Sequence, residues 1–166
     1  VRLFFPLSPR QVFLIFVKVG VRVILITYAC FPESYAAIFS EGDLELVAVG
    51  ENSLTLDVSQ SEENIATCGC GIYVNGGNLT IGGNKLAVNV KADSYSGGIM
   101  ADGYSMDSPA YIGGGNVTIN GVDVSVVTEV PDDEHVSVDG ICVTSGDVSI
   151  KGGSVNITNV SNYGYG

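Results

Sequence analysis

The sequence predicts an all-β fold, a right-handed parallel β-helix of about four coils, each coil a triplet of short strands. Three observations carry this. Residues 71–90, GIYVNGGNLTIGGNKLAVNV, alternate apolar and polar positions in three short runs separated by Gly/Asn breaks. The same runs return in the same order along the chain. The composition, with 22 glycines, no Trp and 46% apolar residues, suits a β-rich chain with many turns.

Within residues 71–90, Ile72 and Val74 flank Tyr73, Leu79 and Ile81 flank Thr80, and Leu86, Val88 and Val90 flank Ala87 and Asn89. A period of two puts one set of side chains inward and the other outward. The breaks at residues 75–78 and 82–85 consist of Gly and Asn with one Lys, and Gly and Asn turn a chain at little steric cost. The first run returns at Gly98-Ile99-Met100-Ala101 and Gly140-Ile141-Cys142-Val143. The second returns at Asn116-Val117-Thr118-Ile119 and Asp147-Val148-Ser149-Ile150, and the third at Val124-Ser125-Val126 and Val155-Asn156-Ile157. Repeats differ in length because stacked coils accept insertions in their turns.

A single triplet cannot bury its own apolar face, whereas stacked parallel copies can. The expected inward columns are Ile72/Ile99/Ile141, Leu44/Leu79/Val117/Val148 and Leu56/Val88/Val126/Ile157. Thr80, Thr118 and Ser149 should form an outward hydroxyl row, and Tyr73, Met100 and Cys142 another. A β-sandwich of hairpins is the structural rival, but hairpins do not require the same triplet to return in order. A left-handed hexapeptide helix would need a strict six-residue period, which is absent.

Taken in order, residues 1–31 stand apart. They hold four of the seven basic residues and an apolar run broken by Lys18 and Arg22. They read as a secretory signal, a membrane anchor or a cap on the first coil. Residues 32–40 suggest a short helix within that cap, so residues 1–40 form one segment and residues 41–166 the repeats. Residues 41–70 make a looser first coil containing Leu44, Leu46, Leu54 and Leu56. Residues 71–90 are the second coil, the third starts at Gly98, and the fourth runs from Gly140 to about Val160. Residues 102–109 and 128–139 are long connections. Residues 161–166, SNYGYG, resemble the approach to another strand, so the expectation is further coils or a neighbouring subunit at that edge.

The formal charge is −11 and no Arg follows Arg22, so the basic stripe that nucleic-acid binding requires is missing. Cysteines lie at 30, 68, 70 and 142. Cys68-Gly69-Cys70 is not a C-x-x-C motif. Cys70 and Cys142 fall two stacking steps apart, roughly 9–10 Å, too far for a bridge. Free thiols are expected. A zinc site would lack ligands, since His135 is the only histidine.

The densest acidic cluster is Glu129, Asp132, Asp133, Glu134 and Asp139. Asp132, Asp133 and Glu134 are candidate Ca²⁺ ligands, because Ca²⁺ takes several carboxylate and carbonyl oxygens. Paired carboxylates also serve glycoside hydrolysis. However, the basic residue of a pectate-lyase-like site and the Gly-His-Gly and Arg-x-Lys segments of a polygalacturonase-like site are absent, so no catalytic residue is assigned. A solvated acidic loop is the plainest account of the cluster. Tyr73, Tyr95, Tyr104 and Tyr111 lie on or near loops and are candidate platforms for sugar rings, against the plainer reading of ordinary surface aromatics.

The pattern Gly-Ile-x-Val, Asn-Leu-Thr-Ile-x-Gly-Gly and a Val-rich strand resembles the Gly-rich repeats of secreted or surface bacterial proteins described as carbohydrate-binding and β-helical. The resemblance covers about residues 43–160 and excludes the first 40. It implies an extracellular protein that binds a polysaccharide or cell-surface glycan, and it offers no functional residues to transfer. The expected function is a non-catalytic surface or secreted module, structural or carbohydrate-binding. The alternatives are part of a β-helical polysaccharide lyase or hydrolase, and a Ca²⁺-dependent adhesin.

Overall fold

The computed structural model describes residues 12–16, 22–23, 27–28, 34–59, 68–93, 95–103, 113–130 and 137–161. All regular structure among them is β: β1 (Val12–Phe16), β2 (Arg22–Val23), β3 (Thr27–Tyr28), β4 (Ser34–Glu41), β5 (Leu44–Asp57), β6 (Cys68–Asn75), β7 (Leu79–Lys91), β8 (Tyr95–Asp102), β9 (Val117–Asn120), β10 (Asp123–Glu129), β11 (Ser137–Val143), β12 (Val148–Lys151) and β13 (Val155–Val160).

The strands form two sheets. The larger runs β1-β5-β7-β10-β13, with β2 on β5 and β9 bridging β7 to β12. The smaller runs β11-β8-β6-β4-β3. Every pairing is parallel except β3 with β4. From β4 onward the chain visits the two sheets in turn, β4, β6, β8 and β11 in the smaller and β5, β7, β9 with β10, and β12 with β13 in the larger, and each pairs with its counterpart one repeat later. The larger sheet is strongly curled, because β5 and β7 each run unbroken through the bend that separates β9 from β10 and β12 from β13. The expected second and third strands of residues 71–90 are thus one strand, β7. Its bend includes Gly83, at φ 111°, and β5 shifts register against it between Ala48 and Glu51.

The columns follow the repeat. Ile38, Ile72, Ile99 and Ile141 lie in register on β4, β6, β8 and β11. Leu44, Leu79, Val117 and Val148 do so on β5, β7, β9 and β12, with Thr80, Thr118 and Ser149 beside them. The third column needs a correction. Leu54, not Leu56, lies beside Val88, and Val126 and Ile157 continue the column, while Leu56 pairs with Val90. Leu54 and Leu56 alternate onto the same face of β5, so the period of two does not separate them, and the pairing with β7 decides for Leu54. One main core joins both sheets, with Leu46, Ile72, Leu79, Ile81, Val88, Ile99, Ile119 and Val126 buried in it. At Leu54 to Val126 each buried aliphatic contributes roughly 1.5–3 kcal/mol.

Two glycine columns let the layers close. A Cβ on Gly71 would run into Val88 of the facing sheet and lie 2.6 Å from the Gly98 oxygen. One on Gly98 would strike Val126 and lie 2.5 Å from the Gly140 oxygen, and one on Gly140 would strike Ile157. In the turns, a Cβ on Gly77, Gly115 or Gly146 would strike the backbone of Gly42, Gly77 or Gly115 in the preceding repeat. These glycines serve close approach rather than positive φ.

Residues 34–41 correct the expected helix. Ala36 and Ala37 allow a strand that packs where Cys70 and Gly71 lie in the next repeat, and β4 pairs with β6 from Ser34 to Glu41. The parallel ladder outweighs the weak helical preference of two alanines. β4 spans residue 40 and stays paired with β6 across it. Upstream, β1 and β2 pair in parallel with β5. Among the described residues no helix is long and apolar enough to cross a membrane.

Candidate functional site on the outer face of the smaller sheet

The outer face of the smaller sheet gathers the chemistry-bearing side chains. Its rows are Ala36, Cys70, Gly97 and Asp139; Phe39, Tyr73, Met100 and Cys142; and Cys68 and Tyr95. The expected row Tyr73, Met100 and Cys142 is therefore present. It is not an open platform, however. Tyr73 is only 5% exposed and packs with Ala36, Phe39, Cys70 and Met100. The Phe39 and Tyr73 ring centroids are 5.6 Å apart. An outward position in a strand is not always a solvated one, and this small second cluster covers the ring.

Tyr95 is half-buried, and its ring lies over Gly97. A Cβ added there would come within 3.1 Å of the Tyr95 hydroxyl and 3.2 Å of Cε1. The missing side chain lets the phenol cross to the next strand. Its hydroxyl donates to Asp139 Oδ2 at 2.9 Å and sits 3.1 Å from Met100 Sδ. The Cys70 thiol donates to Met100 Sδ at 3.2 Å. Burial, with Cys70 and Asp139 adding to it, pushes the Tyr95 phenol well above its ordinary pKa, so the ring is a neutral donor at physiological pH. Burial likewise pushes the Cys70 thiol up to about 12 and raises that of Cys142. Cys68, Cys70 and Cys142 are free thiols. Beside this row, the buried Asp102 accepts from the Gly103 N–H at 2.7 Å and from Thr144 Oγ1 at 2.7 Å.

A second polar array runs along the turns. Asn78 donates both its N–H (2.8 Å) and its side-chain amide (3.0 Å) to Asp43 Oδ1. Asn116 repeats this on Asn78 Oδ1, at 3.0 and 3.1 Å. The Asp147 N–H then donates to Asn116 Oδ1 at 2.8 Å. Asp43, Asn78, Asn116 and Asp147 thus form one ladder, one member per repeat.

Of the candidate residues, only Tyr73 and Tyr95 fall among those described. Tyr104, Tyr111, Asp132, Asp133, Glu134 and His135 lie outside them. Among the described residues no group of three or more His, Cys, Asp or Glu is placed to hold a metal ion. The Tyr95–Asp139 pair was not anticipated, yet its signal is present. Residues four and two before Ile72, Ile99 and Ile141 are Cys68/Cys70, Tyr95/Gly97 and Ser137/Asp139. Aligning repeats on the isoleucine places Gly97 between Cys70 and Asp139.

No family model matches the chain, and no curated protein or solved structure matches it either.

Proposed function

We propose that this chain is a non-catalytic solenoid module of a secreted or cell-surface protein, structural or carbohydrate-binding, wound as a right-handed parallel β-helix. The observation that carries the reading is the in-register return of one strand set, Ile38 to Ile72 to Ile99 to Ile141, in parallel and always with the intervening strand in the other sheet. Such an arrangement buries a continuous core while presenting long rows of side chains, which is how solenoids build extended binding faces.

The carbohydrate part rests on Tyr95. A tyrosine crossing a glycine, with its hydroxyl on Asp139, offers an apolar ring for the C–H face of a sugar and a neighbouring carboxylate for its hydroxyls. The test is affinity electrophoresis of the protein through gels carrying a panel of neutral and acidic polysaccharides. Retardation by at least one polysaccharide is expected, weakened several-fold by Tyr95→Ala and by Asp139→Asn. Retardation unchanged by both variants, or none across the panel, would leave the module a structural one. Release of unsaturated or reducing sugar would contradict the non-catalytic reading.

A further inference from the structure

The last described repeat is open on one side. Among the described residues, β11, β12 and β13 each pair along a single edge. Their columns continue those of the core but are exposed. Val148, Ile150 and Ile157 are 43%, 52% and 43% exposed, whereas Val117, Ile119 and Val126, their register partners, are fully buried. The Asx ladder stops here too. Asp43 shows what a carboxylate does in this ladder, accepting both the N–H and the amide of the Asn one repeat on. Asp147 holds the same position, and none of the described residues donates to its carboxylate.

We propose that this face receives a further parallel β-repeat of the chain's own type, in line with the stack, carrying an Asn at the ladder position whose N–H and side-chain amide bond to Asp147. The inference rests on the solenoid reading above. Three features select the occupant. The free backbone edges of β12 and β13 accept a strand on each. The exposed columns need branched aliphatics at the spacing of Val148 and Ile150. The carboxylate needs donors. A second copy docking through the same face would oppose two Asp147 carboxylates and bring together chains that each carry a formal charge of −11, which is repulsive.

The connection lengths define the experiment. Seven residues, 130–136, join β10 to β11. Six residues, 161–166, follow β13. A second copy of residues 137–161 is appended after Gly166, with D147N in the appended copy only, and backbone hydrogen exchange is followed in the original strands. Exchange at the β12 and β13 amides is expected to slow at least tenfold, with a higher melting temperature. Keeping Asp at the appended ladder position should reverse part of that gain. An appended copy that leaves β12 and β13 exchange unchanged would overturn the proposal. So would a concentration-dependent dimer of the unextended chain that protects the same amides, since the occupant would then be a second copy. Failure of the solenoid reading is read separately, from a short bismaleimide cross-link between Thr80→Cys and Thr118→Cys. If these register neighbours do not cross-link, the stack itself is refuted, whatever the appended repeat does.

Discussion

β9 and β12 carry nearly the same residues, Val-Thr-Ile-Asn and Val-Ser-Ile-Lys, one repeat apart and in register. Val117 and Ile119 are fully buried, while Val148 and Ile150 are about half exposed. The strands share a pattern and a register in the larger sheet and differ in whether another strand stacks beyond them. Burial here is conferred by the strand stacked beyond rather than by the strand's own sequence.

That contrast can be broken by paired substitutions. Ile119→Ala should cost about 2–5 kcal/mol, because it opens a cavity in a closed core. Ile150→Ala, at the open edge, should cost about 0.5 kcal/mol. Urea denaturation of the two variants decides it, and equal costs would contradict the account. The stacked glycines give a second pair. Gly98→Ala pushes a methyl at Val126 and at the Gly140 oxygen, and backbone cannot swing aside, so a loss of about 3 kcal/mol is expected. Gly140→Ala has as its nearest neighbours atoms of the exposed Ile157 side chain and should cost about 1 kcal/mol or less, read from the same denaturation curves.

The ladder sharpens the comparison at smaller scale. Asn116→Ala removes bonds to the repeats on both sides and should cost about 1–2 kcal/mol. Asp147→Asn adds an amide able to reach Asn116 Oδ1, as Asn116 reaches Asn78. It should stabilise by about 0.5 kcal/mol, seen as a small rise in melting temperature.

Two ionisable groups add pH dependence. The Cys70 thiol is raised from 9.0 to about 12, chiefly by burial. Its stabilising contribution is complete below pH 9 and is lost as pH climbs toward 12. Cys70→Ala should flatten that alkaline limb, and in the native protein iodoacetamide at pH 8 should leave Cys70 largely unmodified. Asp57 is held below its ordinary 3.8, first by the Ser59 hydroxyl and last by Lys91. Its contribution is present above that value and lost as the solution is acidified through the lower folded pKa. Ser59→Ala should shrink the acid limb seen in denaturation midpoints.

Much of the stacking was legible in the residues. The alternation around Ile72 and its return at Ile99 and Ile141 set the registers of β6, β8 and β11, and the Val117/Val148 column followed likewise. What the sequence hid had physical causes. Ala36 and Ala37 stand where the next repeat has Cys70 and Gly71, so β4 looked helical. Leu54 and Leu56 share one face of β5, so alternation alone could not tell which of them lies beside Val88. The asparagines before each Leu/Val strand read as turn formers, whereas their amides bond from one repeat to the next. Tyr73 read as a surface aromatic, yet Phe39 and Met100 on the adjoining strands enclose it. The Tyr95–Asp139 pair was harder to read, because it joins two residues brought together only once repeats of unequal length are stacked.

The most direct measurement is a set of spin-label distances along one row. Nitroxides at Thr80 and Thr118, then at Thr80 and Ser149, occupy positions one and two repeats apart. Stacked parallel repeats require a backbone separation of about 4.8 Å for the first pair and about 9.6 Å for the second, hence strong dipolar broadening for the first and weaker broadening for the second. An unbroadened Thr80/Thr118 spectrum, or a Thr80/Ser149 pair as broad as its neighbour, would contradict the parallel stack.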